Sequence, residues 1–283
     1  MKLSWARFSF DLSQKTHIMG ILNVTKDSFA DGGLYFDKTS AIERAVRMVE
    51  EGAHIIDVGG ESTRPGSEPV DEEEELRRTI PVIEILAKKI SVPISIDTYK
   101  SAVAKRAIEA GASMVNDISG MRFDLKMPEV VAHYRVPLII MHIQGTPKDM
   151  QRAPFYKALI NEITDYLSEG IRLAVKAGVS DDMIIVDPGI GFGKTYEHNL
   201  EIIKKLHELT RLKKPILIGV SRKAFIGKIL GDLPVTHRLE GTAAAVAISI
   251  FNGANIVRVH DVKEMVWVAR VADAIKKMSI NDS

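Results

Sequence analysis

The chain has no cysteine. That excludes a disulfide framework and any thiolate metal site, and it is consistent with a reducing compartment. Net charge is also nearly absent: 38 lysines and arginines stand against 37 aspartates and glutamates, a formal +1. This balance offers no broad field to nucleic acid or an anionic membrane, so any anion must be held by local charge. Long apolar runs are missing too. The opening MKLSWARFSFDLSQK holds no stretch of signal-peptide length, and nowhere do about 18 uncharged apolar residues run together. The expectation is a soluble, cytoplasmic protein that binds small molecules, with neither nucleic acid nor membrane as a partner.

What is present is ample core material, 46% hydrophobic residues over 283 positions. A short apolar run ending in a polar residue, followed by a helical pattern, recurs along the chain: HIMGILNV (17–24), HIIDVGG (54–60), PISIDT (93–98), MVNDIS (114–119), PLIIMH (137–142), MIIVDPG (183–189), PILIGVS (215–221) and NIVRVHD (255–261). Nearly continuous β-branched strands alternating with helices predict a parallel sheet buried on both faces. Eight units are the number that closes a (β/α)8 TIM barrel, here α/β and a single domain over 1–283; an open doubly wound sheet is the competing arrangement. Phe36 to Ser40 and Leu233 to Thr236 read as loops.

DPGIGFGKT (187–195) looks like a phosphate loop, yet that motif needs a glycine five residues before Gly193, and the position holds Pro188. Lys194 and Thr195 therefore read as solvent-facing residues ahead of a helix, and the glycines as allowing backbone to lie close to a flat ligand that Phe192 covers.

In a parallel barrel all strand C-termini open on one face, where active sites lie. Here those ends carry Asn23, Asp57, Asp97, Asn116, Asp117, His142, Asp187, Ser221 to Lys223, Arg258, His260 and Asp261. Singly, a strand-end Asp or Asn is as often a cap or turn former. Arg258 and His260 are two apart, so both leave the strand on one face; the pattern fits an anion pocket with Arg64 and Asn23, or an Arg paired with core carboxylates. Asn23 also offers a hard oxygen to Mg²⁺, which takes one or two such ligands plus substrate phosphates. Asp97, Asn116, Asp187 and Lys223 suit a heterocycle with adjacent N–H donors and a carbonyl, or else acid/base machinery or a buried salt bridge. DEEEE (71–75) reads as a solvated helix start. Ser221 lacks a strained glycine-flanked elbow and a partnered histidine, which disfavours a hydrolase triad. His142 has no second ligand at metal spacing. His17, His133, His198, His207 and His237 read as ordinary surface or turn residues.

MGILNVTKDSFADGG, ESTRPG, SIDTYK, NDISG, MHIQGTP, DPGIGFGKT, GVSRKAFIG and RVHD, in that order from about 17 to 261, resemble the successive signatures of the bacterial dihydropteroate synthases. The resemblance implies a homodimeric TIM-barrel transferase of folate biosynthesis, the class that sulfonamides target, condensing p-aminobenzoate with 6-hydroxymethyl-7,8-dihydropterin diphosphate. It implies that Asp97, Asn116, Asp187 and Lys223 hold the pterin, with Met141 and Phe192 lining its slot. Asn23, Arg64, Arg258 and His260 then bind the diphosphate with Mg²⁺ alongside, and Phe29, Thr63, Pro65 and Ser221 border the aminobenzoate. Catalysis falls to Asp97, Lys223, Arg258 and His260. Ala224 follows the Ser-Arg-Lys triplet where many members have Ser or Arg, so only its backbone N–H is available to the aminobenzoate carboxylate. Diphosphate departure before amine attack is the expected order, with loops 25–37 and 61–70 closing over the site. Two alternatives share the ring-binding end: a methyltransferase acting on methyltetrahydrofolate, and a non-catalytic pterin-binding paralogue.

Overall fold

The computed structural model of the chain describes residues 1–25 and 34–278, with backbone alone at 34–37. The chain opens with an antiparallel hairpin, β1 (Lys2–Trp5) and β2 (Phe8–Asp11). The eight predicted strands follow: β3 (His17–Asn23), β4 (Ile55–Gly59), β5 (Ile94–Asp97), β6 (Met114–Asp117), β7 (Leu138–Met141), β8 (Ile184–Asp187), β9 (Leu217–Ile218) and β10 (Ile256–Val259). They form one parallel sheet in the order β8-β7-β6-β5-β4-β3-β10-β9. A parallel bridge between Val186 and Ile216, with the Val186 N–H donating to Pro215 O, joins β8 to the segment entering β9 and closes the ring. The (β/α)8 barrel expected from the spacing is the observed fold.

Around it run α1 (Leu34–Glu50), α2 (Glu72–Lys89), α3 (Ser101–Glu109), α4 (Met127–Tyr134), α5 (Leu159–Lys176), α6 (Tyr196–Lys204), the short α7 (Ala224–Ile229), α8 (Leu239–Phe251) and α9 (Val262–Lys277). Phe36 to Ser40, read as a loop, lie within α1. Local chemistry explains the helix ends. Asp71 caps α2 by accepting from the Glu74 N–H at 2.8 Å, glutamates fill its first turn and Lys88 and Lys89 its last, each sign complementing the helix dipole. The acidic start is not wholly solvated, however, because Glu75 turns inward and is buried. Thr195 and His198 form a reciprocal capping pair at α6.

Strand alternation divides the barrel into a dry floor and a polar mouth. Met19, Ile55, Met114, Ile139, Ile185, Leu217 and Ile256 pack together at the floor. The next inward positions on the same strands include Asp57, Asn116, Met141, Asp187 and Arg258. The hairpin, which the sequence reading did not anticipate, closes the floor from below. Leu3, Trp5 and Leu12 join the same cluster, with Phe8 and Phe10 against Trp5. His17, expected at the surface, is buried there between Phe10 and His54. Outward-facing strand residues such as Ile18, Val58, Ile96 and Val186 make the second core with the helices.

Candidate active site

Register sets the first row of the mouth. Asn23 pairs with Gly59, Gly59 with Asp97, and Asp97 with Asn116, so three polar side chains stand at one level round the ring. Gly59 faces the gap between two of them: a Cβ there would be in ordinary contact, 3.6 Å from Asp97 Oδ2 and 3.9 Å from Asn23 Oδ1. The Asn23 side chain makes no hydrogen bond to any described residue. Just below, Arg258 donates from Nε to Asp57 Oδ2 at 2.6 Å and from Nη2 to Asp97 Oδ2 at 2.6 Å, while Asn116 Nδ2 donates to the same Asp57 oxygen at 3.0 Å. The structure thus shows the alternative of an arginine paired with core carboxylates. Asp57 was noted at a strand end but given no role; its position two residues after the floor residue Ile55 is the signal that points it inward. Asp117, by contrast, points away from the mouth and is spent on the turn, accepting from Ser119 and the Met121 N–H.

Burial pushes the Asp97 carboxyl up to about 7 against the pull of Arg258. Burial likewise works against the charge on Arg258, but Asp57 and Asp97 outweigh it and hold the guanidinium firmly protonated. Across the mouth, burial raises Asp187 to about 6, although its Oδ1 accepts the Gly189 N–H at 2.7 Å. Oδ2 of Asp187 has no partner among the described residues. Lys223 is lowered to about 8, mainly by burial and then by Arg258, and its ammonium lies 4.4 Å from the Phe192 ring centroid. Phe192, Met141, Ile118 and Ile143 form an apolar wall, to which Ile118 and Ile143 are additions not made from sequence.

Two features of DPGIGFGKT depart from expectation. Lys194 is buried, 2% exposed, donating to His142 Nδ1 at 2.8 Å and to Phe192 O at 2.9 Å. Burial pushes the Lys194 amine well below its ordinary range, and these acceptors, with the neighbouring carbonyl of His142, satisfy its polar hydrogens. Gly189, at φ +69°, does not make room for a ligand; a Cβ there would meet His142 O at 2.0 Å. The segment is welded to the loop after β7, and this weld places Phe192.

The ESTRPG loop is anchored at Glu61, which accepts from Tyr99 Oη at 2.8 Å and from Lys100, a lysine shared with buried Glu75. Gly66 N–H reaches Pro147 O at 2.9 Å. Thr63 is half-buried; Arg64 and Pro65 are exposed, and the Arg64 side chain makes no hydrogen bond or ion pair with any described residue. Phe29 and most of the 25–37 loop lie outside the described residues. Ser221 does have a histidine partner, contrary to expectation: its Oγ is 3.0 Å from His260 Nδ1. Burial first and Arg258 second lower His260 to about 3, so the ring is neutral. His260, Asn23, Arg44, Met48, Arg222 and Asp261 border a cavity of about 360 Å³. Among the described residues no group of three or more His, Cys, Asp or Glu could hold a metal. No helix of the described residues is long and apolar enough to cross a membrane.

The family model for pterin binding enzymes matches residues 19–260. The dihydropteroate synthase of Synechocystis sp. is 50% identical over 266 residues, 94% of this chain and 92% of that protein. Among solved structures, the Yersinia pestis dihydropteroate synthase with a sulfonamide drug superimposes at TM-score 0.93 and 41% identity, covering 98% of this chain and 100% of that one. The Xanthomonas albilineans dihydropteroate synthase with 4-aminobenzoic acid superimposes at 0.92 and 40% identity, covering 98% and 99%.

Proposed function

The chain belongs to the pterin-binding enzyme family and carries out the dihydropteroate synthase reaction, and from that premise we propose how its residues divide the work. The reaction, a transfer step of folate biosynthesis, joins p-aminobenzoate to the methylene carbon of 6-hydroxymethyl-7,8-dihydropterin diphosphate and releases pyrophosphate. The ring enters between Asp187 and Asp97, with Asn116 and Lys223 as further polar partners and Met141 and Phe192 as walls. The free Oδ2 of Asp187 is a ready acceptor for ring N–H donors. Asn23, Arg258 and His260 take the diphosphate, Arg64 joins from its exposed loop, and Thr63, Pro65 and Phe29 frame the aminobenzoate.

The single observation carrying this division is Arg258. It pairs with two carboxylates, one of which, Asp97, also borders the ring slot. When ring N–H groups take over Asp97, the guanidinium gains freedom to face the leaving oxygens, so ring binding and diphosphate binding are linked through one side chain. Departure then comes first. The methylene C–O bond breaks with its electron pair going to the diphosphate, and the reduced ring delocalises the cation beside Asp97. The aniline nitrogen forms the new C–N bond and loses a proton to the diphosphate or solvent. Preorganised charge at the leaving group is the kind of effect that often dominates catalysis.

Mg²⁺ fits this mouth as a companion of substrate. Asn23 supplies one hard oxygen that no described residue engages, and no protein cluster among the described residues could hold the ion unaided. When bound it would neutralise diphosphate charge. Exposed apolar side chains on α8 and α9 support a homodimer, and the water-soluble, charged substrates fit a cytoplasmic enzyme. The test is pyrophosphate release measured against both substrates. Release that requires the pterin diphosphate and is completed by p-aminobenzoate supports the assignment; no release with both present overturns it. Pyrophosphate formed on the enzyme in rapid-quench experiments without p-aminobenzoate supports departure first, whereas none formed favours direct displacement.

A further inference from the structure

Ser221 and His260 lie just beyond the C-terminal ends of neighbouring strands β9 and β10, and two hydrogen bonds join them. The His260 backbone N–H donates to Ser221 Oγ at 3.2 Å, and the same Oγ lies 3.0 Å from His260 Nδ1. Ser221 is buried, 4% exposed. Its hydroxyl proton has no other acceptor among the described residues, so an Nδ1–H aimed at Oγ would orphan a buried O–H at a cost that the opposite arrangement avoids. The serine therefore donates and Nδ1 accepts. That leaves the ring proton on Nε2, which has no partner among the described residues, on a residue that borders the cavity shared with Asn23 and Arg222.

The surroundings hold this pair in place. Arg222, between Ser221 and Lys223, has φ +56°, a left-handed conformation that arginine rarely adopts and that structures retain only when over-determined. Its guanidinium forks onto both oxygens of Asp261, the residue after His260, while its N–H donates to Thr242 Oγ1 at 3.0 Å. Arg44 Nη2 donates to the His260 carbonyl at 2.9 Å. Two consecutive residues of one strand end thus clamp two consecutive residues of the next.

We propose that Ser221 is a positioning residue of the leaving-group side: its hydroxyl fixes the His260 tautomer and ring orientation that present Nε2–H to the diphosphate. This reassigns Ser221 from the aminobenzoate border, and it rests on the functional reading above for the identity of the anion. The test uses full-length protein labelled with ¹⁵N-histidine, with His260 assigned from H260N. The free wild type should show an Nε2–H tautomer with a hydrogen-bonded Nδ1. S221A should move the Nδ1 resonance toward that of an unbonded imidazole nitrogen and weaken binding of pyrophosphate with Mg²⁺ by about three- to tenfold. The p-aminobenzoate KM should stay unchanged, and S221T, which keeps the hydroxyl, should restore both readouts. An unchanged Nδ1 resonance in S221A overturns the proposal alone, as does a raised p-aminobenzoate KM with native pyrophosphate affinity. A wild type that fails to bind pyrophosphate at all overturns the functional reading and this proposal with it.

Discussion

Arg258 Nε lies 2.6 Å from Asp57 Oδ2, one inward position above the hydrophobic floor of the barrel. Asp57 is completely buried and Arg258 partly so, and the arginine's other arm holds Asp97. Removing one partner of a buried ion pair leaves an uncompensated charge and typically costs about 3–5 kcal/mol. Arg258→Ala is therefore expected to lower stability by that order and, separately, to reduce kcat/KM by the equivalent of about 2–4 kcal/mol. Thermal unfolding and steady-state kinetics at a temperature where the variant is folded check the two effects. Native turnover in a destabilised variant would reduce Arg258 to a structural counter-ion.

Asp187 and Asp97 give the ring site a calculable pH response. Both carboxyls are raised by burial, to about 6 and about 7. Ring N–H donors need the ionised acceptor, so affinity for the pterin should rise with pH through each step and level off above the upper one. Asp187→Asn should lose the lower step, keep the upper, and bind the ring about ten- to a hundredfold more weakly at neutral pH, the value of a hydrogen bond to a charged group. Calorimetric titrations from pH 5 to 8 decide it; native affinity in the variant contradicts the ring-recognition role.

The contrast between these residues shows what one dimension can carry. Strand spacing and the polar residues at strand ends are local patterns, so the barrel and Asn23, Asp97, Asn116, Asp187 and Arg258 were legible. Partnerships across strands were not. Ser221 and His260 are 39 positions apart, as are Arg222 and Asp261, and only barrel closure brings them side by side. Lys194 looked solvent-facing because a lysine before a helix usually is; its acceptors come from the loop after another strand, 52 residues earlier. The hairpin escaped because Ala6-Arg7 lacks the Asn-Gly or Asp-Gly turn signature, with Ala6 itself taking φ +43°.

That hairpin predicts a variant that weakens the protein without touching the chemistry. Trp5 is 4% exposed and packs against floor residues at the end of the barrel opposite the mouth. Trp5→Ala should cost about 3–5 kcal/mol of stability, the range for deleting a buried aromatic. Because the indole Nε1 has no hydrogen-bond partner, Trp5→Phe should cost distinctly less. Denaturant midpoints measure both, and kcat/KM of the folded fraction should stay native; a catalytic defect would mean the floor and mouth are coupled.

The helix faces left uncovered make the last case. Trp267, Val271 and Ile275 are each more than half exposed and recur every four residues along α9, one stripe on one side of the helix; Ile248 and Phe251 on the adjoining α8 are exposed as well. An exposed apolar face of this kind marks an association surface, and two copies of this chain meeting there would bury the same patch on both, as a twofold interface requires. Sedimentation velocity at micromolar concentration should therefore report twice the 31.3 kDa chain mass. Val271→Asp places a carboxylate at the centre of the stripe and should yield monomers, because an unpaired charge buried at an interface core is strongly unfavourable. Since the stripe faces away from the barrel, the monomer should keep a native thermal transition in its barrel core and measurable turnover. A wild type that sediments as a single chain leaves the stripe without its proposed partner.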